Sequence, residues 1–262
     1  MAERITGGRA RHHSFGWARA TPWRGRRDIA HLVLGDRVPT DPSVVDACLH
    51  ALQRAGYRAV VTSAVAPADA LPFVDAGFDV RERLHLLQHD LDDLPPRGTE
   101  PRSRRAWRND RDGVLALDDL AFDAFWRLGA SGLREALHAT PSVRFRVGDG
   151  RHGRPSPKET PLAASTNGGG DSGNGLVGPV AYAITGRAGR QGYLQRVAVH
   201  PAGRRHGWGR ALVLDALRWL RRHDTRRALV NTQWTNDAAL ALYESCGFRQ
   251  LPVGLCVLDR SL

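Results

Sequence analysis

Residues 194–248, LQRVAVHPAGRRHGWGRALVLDALRWLRRHDTRRALVNTQWTNDAALALYESCGF, constrain the chain more than any other stretch. They alternate a strand pattern, a glycine-rich turn, a helical pattern, a second strand and a second helix, which is the signature of an α/β unit. The first half carries Arg204, Gly207 and Gly209 in R-x-x-G-x-G, between a strand ending at Val199 and a helix beginning near Gly207. Glycines at such a junction let the backbone turn sharply and approach a ligand, so several N–H groups and the positive end of the helix dipole converge on an anion. A pyrophosphate fits that description. Pro201 and Gly203 just ahead sharpen the loop.

The rest of the chain is compatible with a globular protein. Its 262 residues, 42% hydrophobic and 25% charged, suit one large domain or two small ones and exclude collagen-like, coiled-coil or wholly disordered chains. No apolar run approaches the ~18 to 20 residues of a bilayer span, and the opening residues lack an apolar leader core, so a soluble, cytoplasmic protein without a membrane partner is expected. Cys48, Cys246 and Cys256 have no C-x-x-C spacing, which argues against a disulfide framework and a zinc cluster. The net charge of +11 predicts attraction to anions and leaves nucleic acid open as a partner class. Lys158 is the one lysine among 38 basic residues, an arginine skew that a GC-rich coding sequence produces without any function.

Residues 1–28 read as an arginine-rich, partly ordered arm. A smaller αβ module over 29–94 follows, with strands at 29–34, 59–65 and 80–91 and helices after Asp41 and Pro67. Residues 95–104, PPRGTEPRSR, read as a linker, and 105–262 as a second domain. Helices are expected over 110–128, 131–139, 207–222 and 236–246, with GRAGRQG as a hairpin loop. Residues 148–175 are too poor in apolar side chains to bury anything, which predicts a mobile loop.

A second pattern gives the glycine-rich turn its context. Asn236, Ala239, Leu242, Tyr243, Glu244, Gly247 and Phe248 stand in N-x-x-A-x-x-L-Y-E-x-x-G-F, which closely resembles the second signature of the GNAT superfamily of acyl-CoA-dependent N-acetyltransferases. R-x-x-G-x-G after V-A-V-x-P resembles the first, and the two lie in the expected order about 27 residues apart. The resemblance covers roughly residues 101–262, with Arg105, Ala106 and Asp110 at the first strand. It implies an α/β fold of the α+β kind, a mixed and mostly antiparallel central sheet flanked by helices. It also implies acetyl-CoA as co-substrate, no metal, and an amine acceptor.

Residue by residue, the resemblance places Val197, Ala198 and Val199 along the pantetheine arm, the two valines offering backbone groups. Arg204, Arg205, His206, Gly207, Trp208, Gly209 and Arg210 would hold the pyrophosphate, and Asn236 would contact the arm near its thiol end. Tyr243 would stand near the sulfur and protonate the leaving thiolate, a role a phenol of pKa about 10 can fill. Glu244 caps or solvates its helix, while Gly247 and Phe248 form a helix end and a core anchor. Cys246, alone inside a helix, reads as packing. Many relatives carry an acidic residue near Gln195 to deprotonate the amine, and Gln195 cannot serve as that base. Glu135, His138 and Asp123 are alternatives, as is a water chain. The acceptor groove would be walled by residues 126–131 and 251–255, which hold no carboxylate cluster for a polycation. Transfer to a protein N-terminus or a small-molecule amine is the expectation, by a monomer or homodimer. A CoA sensor without turnover, or a nucleic-acid-binding protein on this fold, is the rival.

The first half repeats the second in degenerate form. Residues 48–80 line up with the helix, strand and helix of the C-terminal segment, Gly77 and Phe78 matching Gly247 and Phe248, and Phe73 falling where Tyr243 stands. Residues 35–43, GDRVPTDPS, lack R-x-x-G-x-G, so this GNAT-like half has neither phosphate loop nor proton donor. Tandem GNAT proteins are similar in plan.

Overall fold

A computed structural model describes residues 13–35, 37–96, 98–149 and 178–262. The chain opens with strands β1 (His13–Ser14), β2 (Ala18–Trp23) and β3 (Arg26–Leu34), helix α1 (Pro42–Arg54), strand β4 (Ala59–Thr62), helix α2 (Pro67–Asp75) and strand β5 (Asp79–His89). Strand β6 (Arg104–Arg105), helices α3 (Arg111–Ala121) and α4 (Ala130–His138), strands β7 (Ser142–Asp149), β8 (Pro179–Ala188) and β9 (Gln191–Val199), and helix α5 (Trp208–Arg221) follow. Strand β10 (Arg227–Gln233), helix α6 (Asp237–Ser245) and strands β11 (Arg249–Gln250) and β12 (Leu255–Ser261) end it. These elements group into two compact units, neither a continuous half of the chain: residues through Asp90 with Gly129–Glu135 and Arg227–Leu262, and Leu91–Leu128 with Ala136–Arg226.

In the first unit, local signals set the elements. The Asp41 carboxylate accepts from Ser43 N at 2.9 Å and Pro42 opens α1, whose Val45, Cys48, Leu49 and Leu52 are buried at helical spacing. Gly56, at φ +94°, ends the helix. Strands β3 and β4 run parallel, as the intervening α1 crossover requires. Beyond β4 the order is β12, β5, β10, each pair antiparallel. The two halves of the chain thereby exchange strands: β5 follows the first αβα segment yet pairs with β10, at Asn231↔Leu86, whereas β12 follows the second yet pairs with β4, at Arg260↔Val60. Leu32, Leu52, Val60, Phe73 and Leu258 are fully buried in the core that results.

The internal repeat is visible in the helix ends. Phe78 N donates to Phe73 O at 2.9 Å and Phe248 N to Tyr243 O at 3.1 Å, across Gly77 at φ +78° and Gly247 at φ +96°. Both are left-handed helix exits closed by a six-to-one bond. The rings repeat as well, Phe73 meeting Phe78 at 5.5 Å and Tyr243 meeting Phe248 at 5.8 Å, both edge-on.

In the second unit, β6, β7, β8 and β9 form an antiparallel meander. Strand β8 is buried from Val180 to Ile184, with helices on both faces. Ala181 and Ala183 pack on Trp208 and Leu212 of α5, while Tyr182 between them bonds Asp118 of α3. The central sheet is thus mixed, mostly antiparallel and flanked by helices.

Several local expectations are corrected. Residues 13–28 are not arm-like: β1, β2 and the start of β3 hold them, because Ala18, Ala20 and Trp23 bury while Arg19 stays in water. The helix expected through 128 stops at Ala121. Phe122 turns extended at ψ 152°, and the Asp123 carboxylate accepts from Phe125 N and Trp126 N, a side-chain turn that competes with helix. The hairpin between β8 and β9 is a two-residue turn, with pairing continuing to Ala188↔Gln191. Gly148 and Asp149 belong to β7, and residues 150–175 of the expected loop lie outside the described residues, as do residues 1–12 of the arm. No described helix is long and apolar enough to cross a membrane.

Two stability predictions follow from the first unit. Phe73→Ala removes a fully buried ring and should lower the unfolding free energy by ~3 to 5 kcal/mol in urea. His31 packs edge-on to Trp23 at 4.8 Å, and burial, with Arg24 adding, brings its imidazole down to about 4. An unfolded histidine titrates near ~6.5, so this neutral imidazole contributes fully above that pH and less as pH falls toward about 4. The urea midpoint should therefore drop over that window, and drop less in His31→Phe.

Candidate active site

Strand β9 is irregular where the site begins. Ile184 pairs with Arg196 and Thr185 with Leu194, so Gln195 is an extra residue on β9, a β-bulge. Past it the ladder is regular. His200 N donates to Val180 O at 2.8 Å, which makes Val199↔Ala181 and Val197↔Ala183 the non-hydrogen-bonded pairs of an alternating ladder. The backbone N–H and C=O of Val197 and Val199 consequently point away from β8, while Ala198 spends its own on Tyr182. The Gln195 side chain reaches Thr140 Oγ1 at 3.4 Å, and a Cβ at Gly186 would come within 2.1 Å of Gln195 Nε2 and 2.4 Å of Thr140 Oγ1, so both side chains would have to shift.

The turn after β9 leads into the exposed start of α5. A short 3-10 turn at Pro201–Gly203 leads into Arg204, Arg205 and His206, all exposed. Arg205 at φ +66° and Gly207 at φ +80° are both left-handed, and Gly207 is the N-cap of α5 with no side-chain cap bond. The start of a 14-residue helix, its positive dipole end, thereby lies directly after Arg204, Arg205 and His206 in the chain. Trp208 is only 7% exposed and packs with Val180, Leu212, Val197 and Val199, pinning the first turn to the sheet. Gly148 makes the room, since a Cβ there would lie 2.3 Å from the indole. Gly209 is half-buried, and Arg210 is tied to Glu100 at 3.1 Å.

Beneath β9 lies a buried ion pair that the sequence reading missed. Asp118 is fully buried, and its carboxylate accepts from Arg196 Nε and Nη2 at 2.9 Å each, from Leu128 N at 2.6 Å and from the Tyr182 hydroxyl. Arg196 also donates to Trp126 O at 2.6 Å and lies 3.5 Å over the Phe122 ring. Burial pushes the Tyr182 phenol above its ordinary range, so it stays a donor. The pair fixes residues 122–128, which overlap the 126–131 wall of the expected acceptor groove. Its signals were an arginine inside the apolar run GYLQRVAV and an aspartate on the apolar stripe of α3.

In the first unit, Asn236 is the N-cap of α6, with Oδ1 accepting from Ala239 N at 3.1 Å. Tyr243 is 6% exposed on the same helix, its phenol held above the ordinary range by burial, with Cys246 adding. Cys246 is fully buried, and Cys48 and Cys256 are buried free thiols too. Burial pushes the Cys48 thiol up to about 12, the opposite of an activated nucleophile. Glu244, Glu135 and His138 are exposed. Asp123 is engaged by the backbone of its own turn, so no described side chain stands out as the base.

Residues 132–248 match the model of the Acetyltransferase (GNAT) family. That segment is thus similar to a GNAT-family acetyltransferase domain, and the fold of the chain resembles that of tandem GNAT proteins, with a second, GNAT-like half. Among solved structures, a tandem GNAT protein from the clavulanic acid biosynthesis pathway is similar at 12% identity and a TM-score of 0.61, covering 93% of this chain and 78% of that one. A GCN5-related N-acetyltransferase from Kribbella flavida is similar at 15% identity and 0.60, over 95% and 89%. Another from Sphaerobacter thermophilus stands at 14% and 0.56, over 94% and 76%. At these identities the likeness speaks for the fold. A search of curated protein sequences finds no significant match.

Replacing Arg196 by Leu leaves the Asp118 carboxylate buried without its cation. Such a variant should lose ~3 to 5 kcal/mol of stability, readable as a lower urea midpoint.

Proposed function

We propose that the chain transfers an acetyl group from acetyl-CoA to a primary amine, a protein N-terminus or a small-molecule amine, by direct attack in a ternary complex. The observation that carries this reading is the left-handed, side-chain-uncapped start of α5 at Gly207, directly after a bulged strand, inside a segment that matches an acetyltransferase family. The helix start with Arg204, Arg205, His206 and Arg210 is assigned to the pyrophosphate. Val197 and Val199, whose backbone groups face away from β8, are assigned to the pantetheine amides. Asn236 spends its Oδ1 on the helix cap and keeps its Nδ2 hydrogens for the pantetheine arm.

In the chemical step the amine nitrogen attacks the thioester carbonyl, the C–N bond forms and the C–S bond breaks. Backbone N–H groups of β9 polarise the carbonyl. The amine gives up one proton and the departing sulfur takes one, so the step balances without an outside acid. Tyr243, kept protonated by burial, donates to the sulfur as charge develops there. With Gln195 at the bulge, the amine loses its proton to water rather than to a carboxylate on β9.

Tyr243→Phe should lower turnover by roughly 100-fold or more and leave acetyl-CoA affinity nearly unchanged; unaltered turnover would remove Tyr243 from the mechanism. For the cofactor, acetyl-CoA at 100 times its dissociation constant should stabilise the wild type by about 2.7 kcal/mol, visible as a higher unfolding midpoint. Gly207→Glu, which puts a carboxylate where the pyrophosphate would sit, should abolish that shift. If the wild type itself fails to shift, the acetyl-CoA reading is wrong.

A further inference from the structure

A cavity of about 420 Å³ opens in the second unit between residues 98–103 and α5. It is within the size range of small-molecule sites, ~300 to 1,000 Å³. Its walls include Arg102, Arg146 and Arg218, together with Glu100, Asp215 and Ala211, and Arg218 also donates to Pro95 O at 2.9 Å. Both carboxylates are spoken for from outside the cavity. Arg210 holds Glu100 at 3.1 Å, and Arg144 holds Asp215 through two bonds at 2.7 and 3.0 Å. Arg146 therefore reaches Asp215 only at 3.5 Å, as the second cation on one carboxylate, and its other contacts are to Ser103 Oγ at 3.2 Å and the Ser103 carbonyl.

The side chain of Arg146 is just 19% exposed. Burial, with Arg144 and Arg104 nearby, draws its guanidinium below its ordinary range, although Asp215 pulls the other way. A half-buried cation sharing its counter-ion with a better-placed neighbour costs free energy unless something else neutralises it. Arginines converging on one space are the arrangement that recognises phosphate, because each guanidinium can donate to two oxygens of one group.

We propose that this cavity binds a phosphate monoester dianion carried on a larger organic body. It is separate from the residues assigned to the pyrophosphate: none of Arg204, Arg205, His206 and Gly207 is among its lining residues. Pro101, however, lines the cavity and sits 3.3 Å from where a Gly207 Cβ would be, so the two sites adjoin. The phosphate could thus arrive on a free metabolite or as the 3′-phosphate of CoA.

Calorimetric titration of the full chain distinguishes these. Inorganic phosphate is titrated into Arg204→Glu, which reverses a charge of the neighbouring loop, and into the same chain carrying Arg146→Met or Arg102→Glu. The proposal expects phosphate affinity to fall about tenfold or more in both double variants. Arg102 is exposed, so its replacement keeps the test valid if Arg146→Met does not fold. CoA and dephospho-CoA are then compared in the wild type and in Arg102→Glu. A preference for CoA that Arg102→Glu erases assigns the cavity to the 3′-phosphate; a preference that Arg102→Glu leaves alone, together with lost phosphate binding, assigns it to a separate ligand. Phosphate binding that is absent or equal in all three chains, with an unchanged CoA preference, overturns the proposal. The phosphate arm does not depend on acetyl transfer, so a failure of that reading shows up in the CoA arm alone.

Discussion

The second unit is organised around one buried carboxylate. Asp118 satisfies both oxygens with an arginine from β9, a hydroxyl from β8 and a backbone N–H from the turn after α3. Helix α3, the turn after it, β8 and β9 are held at one point, with up to 78 residues between partners, and each bond strengthens the others where water is excluded. A buried ion pair adds little net stability over apolar packing, and removing one partner is costly. What it does supply is geometry. Only one register of β9 on β8 puts Arg196 opposite Ile184 and over Asp118, and that register places the extra residue at Gln195 and turns the backbone of Val197 and Val199 away from β8.

Downstream of that register, the chemistry of the α5 start follows from backbone conformation more than from side-chain charge. Gly207 can occupy φ +80° without a Cβ penalty, and Trp208 is buried behind it. The helix is fixed to the sheet by Trp208, the residue between the two glycines of R-x-x-G-x-G, while its N-cap Gly207 offers no side-chain cap. Arg204 and Arg205 then add charge from the exposed side. A motif that reads as glycine, any residue, glycine in fact needs a bulky aromatic between the glycines here, matched to the missing side chain of Gly148.

Sequence reading worked where local rules decide. Helix α1 was legible from Asp41, Pro42 and Gly56, and α6 from Asn236 and Gly247, because caps and left-handed exits are written in consecutive residues. It failed where partners are remote. The overlong helix through 128 overlooked that Asp118 and Asp123 bond backbone beyond the helix end, and the arm reading of residues 13–28 overlooked that two alanines and a tryptophan, with Arg19 and Thr21 between them, suffice for a strand once a neighbour exists. Strand exchange was equally hidden, since no local signal says whether β5 pairs with β4 or with β10. The arginine-lined cavity needed α5, β7 and residues 98–103 in place before Arg146 could be seen to share its carboxylate.

The repeat within the first unit separates what packing demands from what chemistry demands. Phe73 and Tyr243 occupy equivalent helix positions, make the same backbone bond to the aromatic after a left-handed glycine, and meet it edge-on at nearly the same distance. Packing asks only for an aromatic ring at each place. The difference is one hydroxyl, and it lies on the half whose preceding helix also begins at R-x-x-G-x-G, whereas α1 begins at an Asp41 cap that would repel a phosphate. Carboxylate cap and missing hydroxyl point the same way: the first half has kept the helix ends and cross-strand pairing that stabilise the unit, while the groups suited to an anion and to a leaving thiolate are confined to the second.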